Sequence, residues 1–348
     1  MIYDSMLPRV CSQGGRNMGS IHGMGNPLMD IILTGTHDDL AALAAEPGTM
    51  NLVTYEEQLA VIQRCRQVSR LPGGSCANTM RAAAWITRQL QDAATALHYV
   101  GAVGCDRFGD VFADELQASG VTAELARKST PTGSSAIVVT PDFERTMFTF
   151  LGACRELDET DLDLAAIARS SILHVTGYMW DTASQEAAAR KAAAAARAAG
   201  VLVSFDVADP FVAERYGQKL RSWLPQNCDM LFANRAELQS LTGVSGPDSA
   251  ILTAAQAFAP HLVMKTGADG CLVRCGAATV AVAGYRVQPR DTTGAGDSFA
   301  GGYLYGTARG WPLKRCAQLA NRIAAAVVTV EGCRYDGIDP AIIQELCS

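Results

Sequence analysis

Asp291-Thr292-Thr293-Gly294-Ala295-Gly296-Asp297-Ser298-Phe299-Ala300-Gly301-Gly302 is the stretch that decides how this chain is read. Two glycines flank an alanine directly before an aspartate, and a run of small and apolar residues follows as a helix. Three consecutive peptide N–H groups at a helix N-terminus form a site for negative charge. Gly294 and Gly296 permit unusual backbone angles and leave no side chain in the way of a phosphate. Asp297 falls in the first helical turn, where the helix dipole favours its ionised form. A carboxylate beside an anion hole is suited to take a proton from an alcohol as phosphate is transferred to it. Gly-Ala-Gly-Asp alone reads equally well as a turn before a core helix. The length of the string and its company elsewhere in the chain favour the chemical reading.

The chain has 348 residues, enough for a large α/β domain with a smaller appendage. With 49% hydrophobic and 18% charged residues it is globular with a sizeable core. The net charge of −6 comes without any block of Lys and Arg, so neither nucleic acid nor an anionic membrane is expected as partner. Eleven cysteines show no metal-ligand rhythm, and no His-Glu-x-x-His occurs. Reduced, mostly buried thiols in a cytoplasmic protein are the expectation. No signal peptide and no membrane span are read.

Residues 1–19 mix Pro, Gly, Ser and Arg without period and read as a disordered leader. A single large domain follows over 20–340. Ile21–Leu33 reads as a first strand and a turn. Leu40–Ala45, Tyr55–Arg66, Thr79–Leu90 and Phe108–Ser119 read as helices, with the strand Leu97–Val103 before the last. Ser134–Thr140 and Arg145–Leu151 alternate around Pro141-Asp142-Phe143-Glu144, a hairpin that breaks the βα rhythm and belongs to a separate small sheet. The rhythm then returns. Strands are expected at Ile172–Val175, Val201–Asp206, Met230–Ala233 and His261–Thr266, and a hairpin at Gly270–Val282. Helices are expected at Ser184–Ala199, Ala236–Thr242, Gly296–Arg309 and Lys314–Thr329. Strands alternating with helices argue a mostly parallel sheet covered on both faces, an α/β fold.

Other stretches carry chemistry. Gly23-Met24-Gly25-Asn26-Pro27 lacks the third glycine of a dinucleotide loop, and Pro27 spoils the helix start, so a Rossmann oxidoreductase is disfavoured. Asp30 suits a vicinal diol, since a carboxylate accepts two hydrogen bonds; it also suits a loop cap. Gly73 and Gly74 let backbone pass close to a ligand, and Asn78 offers donor and acceptor, while Ser75 reads as a helix N-cap. Asn234 and Glu237 share one face of a helix start, which serves Mg²⁺ through water or a plain capping pattern. Lys265-Thr266-Gly267-Ala268-Asp269-Gly270 is not a P-loop.

Together, the 291–302 string, Gly73-Gly74-Ser75-Cys76-Ala77-Asn78 and Asn234-Arg235-Ala236-Glu237 resemble the signatures of the PfkB (ribokinase-like) carbohydrate and nucleoside kinases, in that family's order, from about Ile21 to about Gly332. The resemblance implies a three-layer α/β/α domain with a small β-sheet lid over about 31–55 and 128–152. It implies ATP and Mg²⁺ as cofactors, and the transfer of a γ-phosphate to a primary hydroxyl. Asp297 is then the base, and Gly294, Ala295 and Gly296 form the anion hole. Asn26, Asp30, Gly73, Gly74 and Asn78 hold the acceptor sugar. Arg145 on the lid closes on the transferring phosphate. Asn234, Thr266, Gly267, Gly270 and Asn321 border the nucleotide, Glu237 positions Mg²⁺ through water, and Asp291 with Thr293 match positions that hold a monovalent cation such as K⁺ in some members.

Gly23–Asp30, Val100–Gly109, Pro131-Thr132-Gly133 and Asp209-Pro210-Phe211 resemble the adenosine kinase branch, with Tyr178 and Phe211 at positions of base contact. Met50 and Asp209 depart from that branch. The acceptor is therefore best read as adenosine, at its 5′-hydroxyl and in a purine-salvage role. A ribokinase- or fructokinase-type sugar kinase is the alternative, and a non-catalytic ligand-binding member the minor one. A monomer or a homodimer paired through the lid edge is expected.

Overall fold

Four five-residue runs, Ile172–Thr176, Leu202–Asp206, Met230–Asn234 and His261–Lys265, are buried along nearly their whole length. Runs of this kind suit strands covered on both faces. In the computed structural model of the chain they form the middle of the main sheet. The structure describes residues 19–142 and 144–347, the side chains of 345 and 347 excepted; the expected leader lies outside them apart from Gly19.

The strands are β1 (Ser20–Met24), β2 (Leu28–Thr34), β3 (Met50–Leu52), β4 (Arg66–Gly73), β5 (Ala96–Gly104), β6 (Thr122–Lys128), β7 (Ser134–Val139), β8 (Arg145–Phe150), β9 (Ile172–Thr176), β10 (Leu202–Asp206), β11 (Met230–Asn234), β12 (His261–Lys265), β13 (Gly270–Cys275) and β14 (Ala278–Ala283). The helices are α1 (His37–Ala42), α2 (Tyr55–Arg64), α3 (Ser75–Gln89), α4 (Arg107–Ala118), α5 (Leu164–Arg169), α6 (Ala183–Ala198), α7 (Pro210–Asn227), α8 (Arg235–Thr242), α9 (Asp248–Ala255), α10 (Ala295–Ala308), α11 (Leu313–Val327) and α12 (Ala341–Cys347).

The main sheet has the order β14-β13-β12-β11-β10-β9-β1-β5-β6, parallel from β12 to β6 and antiparallel at β13 and β14. One apolar core packs α5 to α9 against one face, with Phe205, Trp180 and Trp223 at its centre. A second packs α3, α4, α10 and α11 against the other, around Tyr99, Phe112, Phe232 and Tyr303. This is the ribokinase-like three-layer α/β/α arrangement that the sequence implies. From β1 the chain builds outward through β5 and β6, then returns to β9 and builds the other way. Ligands in such sheets bind beyond the carboxyl ends of the strands where the winding reverses.

The smaller sheet, in the order β3-β8-β7-β2-β4, forms the lid. It departs from expectation in two places. Ile21–Leu33 is not one strand and a turn but two strands in two sheets, because Gly25, Asn26 and Pro27 carry the chain out of the main sheet. Residues 66–73 form a lid strand that their mixed, proline-bearing sequence does not announce. Helices α7 and α9 were likewise not legible. Asp209 caps α7, and Pro210 at its first turn starts the helix rather than breaking it. Eight cysteines in the described residues are free thiols, all but Cys105 buried.

The lid's helix is fastened by one buried side chain. Gln58 donates to the carbonyls of Ser134 and Phe148, each at 2.8 Å, and accepts from the Ser134 hydroxyl at 2.7 Å. Gln58→Ala leaves those groups unpaired and should cost about 1–3 kcal/mol of stability. Urea unfolding measures it, and an unchanged midpoint would show that the bonds do not hold α2 to the sheet.

Candidate active site

Three neighbouring strands end in a polar residue at the same edge: β10 in Asp206, β11 in Asn234 and β12 in Lys265. β9 runs into Thr176 and Tyr178, and β1 into Asn26. All except Asp206 line one cavity of about 520 Å³, roofed by the lid through Leu28, Asp30, Met50 and Leu52 and bounded by Thr292–Asp297.

Gly294 adopts φ 72°, the left-handed region, and precedes α10. A Cβ there would also lie 2.4 Å from Cys333 Sγ, so two constraints select glycine. The amide of Ala295 donates back to the Thr292 carbonyl at 3.2 Å. The amides of Gly294, Gly296 and Asp297 have no acceptor among the described residues, so these three point to an anion, and Asp297 takes the place in the hole that Ala295 was expected to fill.

Asp297 is the best-held side chain in the site. Its Oδ1 accepts from Ser75 Oγ at 2.7 Å and its Oδ2 from Asn78 Nδ2 at 3.0 Å. Burial raises the Asp297 carboxyl above the ordinary range, and the Ser75 and Asn78 hydrogen bonds work against that rise. A carboxylate poised upward in this way is a stronger base. Asn78, expected in the sugar pocket, lies beneath Asp297 and off the cavity wall. Ser75 is not the cap of α3; Gly74 is, at φ 89°.

Asp30 faces the cavity, and burial pushes its carboxyl from 3.8 up to about 7 against the pull of Arg145 and Arg81. Gly73 makes room for it: a Cβ on Gly73 would lie 2.4 Å from Asp30 Oδ2. Asn26 reaches the cavity while its Oδ1 accepts from Gln185 Nε2 at 2.7 Å. Tyr178 donates to Asp209 Oδ2 at 3.4 Å, and Asp209 Oδ1 accepts from the Phe211 amide at 2.8 Å. The departure at Asp209 thus ties two cavity aromatics together.

The sequence reading passed over Lys265 and Asp206. Lys265 Nζ lies 2.9 and 3.0 Å from the two oxygens of Asp206. It also lies 3.4 Å from where a Cβ on Gly296 would be, next to the anion hole. Burial works to lower its pKa, but Asp206 and Glu237 outweigh burial and raise it, so the ammonium persists. The signal was present: a charged residue closing an apolar strand has to be held by something.

Asn234 and Glu237 form a capping box, in which Glu237 Oε2 accepts from the Asn234 amide at 2.8 Å and Oε1 from its side chain at 2.6 Å. Burial pushes the Glu237 carboxyl up, opposed by Lys265. Each oxygen keeps a lone pair. With Asp209 nearby on the cavity wall, this hard-oxygen set fits Mg²⁺ held through water.

Asp291 and Thr293 do not fit K⁺ in this arrangement. Arg145 Nη2 lies 2.9 Å from Asp291 Oδ2, and its Nη1 donates to Thr293 Oγ1. The guanidinium supplies the positive charge a cation would bring, and Arg145 bridges the lid to the anion-hole loop rather than standing free for a phosphate. Burial pushes Asp291 up, but the amides of Thr293 and Gly332 with Arg145 hold it below the usual range. Gly267 lines the cavity. Thr266 donates its amide to the Gly270 carbonyl at 2.9 Å, and neither of these two lines it. Asn321 is buried, donating to the carbonyls of Val282 and Ala283 at 3.0 and 3.2 Å, which fastens α11 to β14.

A β-lid stands over the switch point of a doubly wound sheet, with free amides beside a buried carboxylate, an arrangement suited to phosphoryl transfer. Residues 44–340 match the pfkB family carbohydrate kinase model, and the chain belongs to that family. Adenosine kinase 2 of Arabidopsis thaliana is 25% identical over 347 residues, covering 91% of this chain and 96% of its own. The crystal structure of adenosine kinase from Sinorhizobium meliloti aligns with a TM-score of 0.85 at 29% identity, over 95% of this chain and 100% of that one. A probable sugar kinase from Rhizobium etli CFN 42 aligns at 0.83 and 29%, over 92% and 95%. None of the described helices is long and apolar enough to cross a membrane.

Asp30 gives a pH test with a defined sign. The folded protein holds its proton up to about 7, the unfolded chain only to 3.8. Folding therefore binds a proton between those values, and stability falls as pH rises through that window. Asp30→Asn should flatten this part of the stability profile. An unaltered slope in urea midpoints would mean that Asp30 is not the group responsible.

Proposed function

We propose that this chain is an ATP- and Mg²⁺-dependent kinase that transfers the γ-phosphate to the 5′-hydroxyl of adenosine. The observation that carries the reading is Asp297, a buried carboxylate held by Ser75 and Asn78 among free amides at the mouth of the cavity. Asp297 accepts the proton of the acceptor hydroxyl as its oxygen bonds to the γ-phosphorus and the bond to the ADP leaving oxygen breaks. The amides of Gly294, Gly296 and Asp297 and the Lys265 ammonium balance charge on the transferring group. When bound, Mg²⁺ would neutralise the phosphates; Glu237, Asn234 and Asp209 are the groups that would hold it, through water. Asp30 and Asn26 take the ribose hydroxyls, and Gly73 and Gly74 keep the backbone close.

Adenosine is favoured over a free sugar by the walls. Tyr178, Phe211 and Tyr216 face Leu28, Met50 and Leu52 of the lid across the cavity. Stacking on such rings contributes about 1–3 kcal/mol per base. Relatives named adenosine kinase support the same acceptor.

ADP release from Mg-ATP against adenosine, inosine, guanosine, ribose, fructose and 2-keto-3-deoxygluconate tests this. Adenosine should give the highest kcat/KM; turnover with a free sugar and silence with nucleosides would transfer the site to a sugar kinase. Asp297→Asn should keep the fold and nucleotide binding and lose about 10²–10⁴-fold in kcat. Lys265→Met should lose about 10²–10³-fold in kcat with a smaller change in acceptor KM. Near-normal turnover in either variant would remove that residue from the mechanism.

A further inference from the structure

β1, β5 and β6 lie side by side at one end of the main sheet, in the register His22 beside His98 and Val100 beside Glu124. Side-chain alternation puts His22, His98 and Glu124 on the face of Met24 and Val100. Glu124 Oε1 lies 3.0 Å from His98 Nδ1, and Glu124 Oε2 lies 3.2 Å from His22 Nε2. One ligand atom from each residue lies within 4.8 Å of the other two. None of the three lines the kinase cavity, and the proposed reaction uses none of them.

His22 makes the group more than a charged cluster. Its side chain is 1% exposed, its Nε2 meets only Glu124 Oε2, at 3.2 Å, and its Nδ1 has no hydrogen-bond partner among the described residues. Buried polar groups in folded proteins are nearly always fully paired, so a wholly buried imidazole held by a single carboxylate has room for a further partner. Two imidazoles and one carboxylate are the donor set of a tetrahedral Zn²⁺ site with one open position. The imidazole rings lie parallel, 5.4 Å between centroids. His98 and Glu124 are 28% and 25% exposed, which leaves an entry path. Mg²⁺ prefers an all-oxygen shell and does not compete here.

We propose that His22, His98 and Glu124 form a binding site for a first-row divalent cation, best matched to Zn²⁺, which clamps β1, β5 and β6 together away from the nucleotide's Mg²⁺. Water completes the coordination.

The test titrates metal-free full-length protein with Zn²⁺ in excess Mg²⁺ by calorimetry. It then repeats the titration on His98→Ala and Glu124→Gln, both at partly exposed positions and checked by circular dichroism. One equivalent should bind the wild type. Loss of an outer-shell partner weakens metal sites about 10–100-fold, and loss of a ligand should do at least as much. Co²⁺ in the wild-type protein should give the intense visible absorption of a four-coordinate site without a thiolate charge-transfer band. The proposal fails if Zn²⁺ shows no saturable binding, if folded variants bind as the wild type does, or if Co²⁺ reports octahedral or thiolate ligation.

Discussion

Two hydrogen bonds, from Ser75 Oγ and Asn78 Nδ2 to the two oxygens of Asp297, are the constraint on which the site depends. They join the first turns of α3 and α10, two helices 222 residues apart for the Ser75 contact. A carboxylate buried at this depth would otherwise rotate or take up a proton. The helices come close enough because Gly301 faces α3: a Cβ there would lie 2.5 Å from the Thr79 carbonyl. Packing between two helices thus becomes the aim of one oxygen atom.

The sheet supplies charge to match. Strands ending in Asp206, Asn234 and Lys265 bring an ion pair and an amide to the floor of the cavity, and the apolar lengths of those strands hold them there. Neither Lys265 nor Asp206 is stable in such a place alone; as a pair they keep a protonated amine beside the free amides. From above, the ion pair of Arg145 with Asp291 ties lid strand β8 to the loop that carries those amides. Anything that lifts the lid therefore loads the anion-hole loop as well.

Much of this was legible. The 291–302 string announced the glycine turn, the aspartate in the first helical turn and the helix behind them, because glycine and aspartate at those positions answer to backbone geometry that is local. The βα rhythm announced the sheet. What was not legible depends on distant partners. Nothing near Ser75 says that its hydroxyl serves residue 297 rather than its own helix. Residues 66–73 form a strand only because β2 is there to pair with them. Asp209 reads in the sequence only as a departure from the adenosine kinase branch, and in the structure it hydrogen-bonds both Tyr178 and the Phe211 amide. Asn234-x-x-Glu237 was read as a metal motif or a cap, and its geometry is that of a cap that leaves lone pairs over.

The most direct measurement is the pH dependence of kcat/KM for the wild type and Ser75→Ala. The acidic limb of that profile reports the pKa of the free enzyme's base. The Ser75 hydrogen bond works to lower the Asp297 carboxyl, so removing it should carry the limb to higher pH while leaving turnover measurable above it. An acidic limb that stays in place in Ser75→Ala, or moves to lower pH, would mean that the group losing a proton for the reaction is not Asp297.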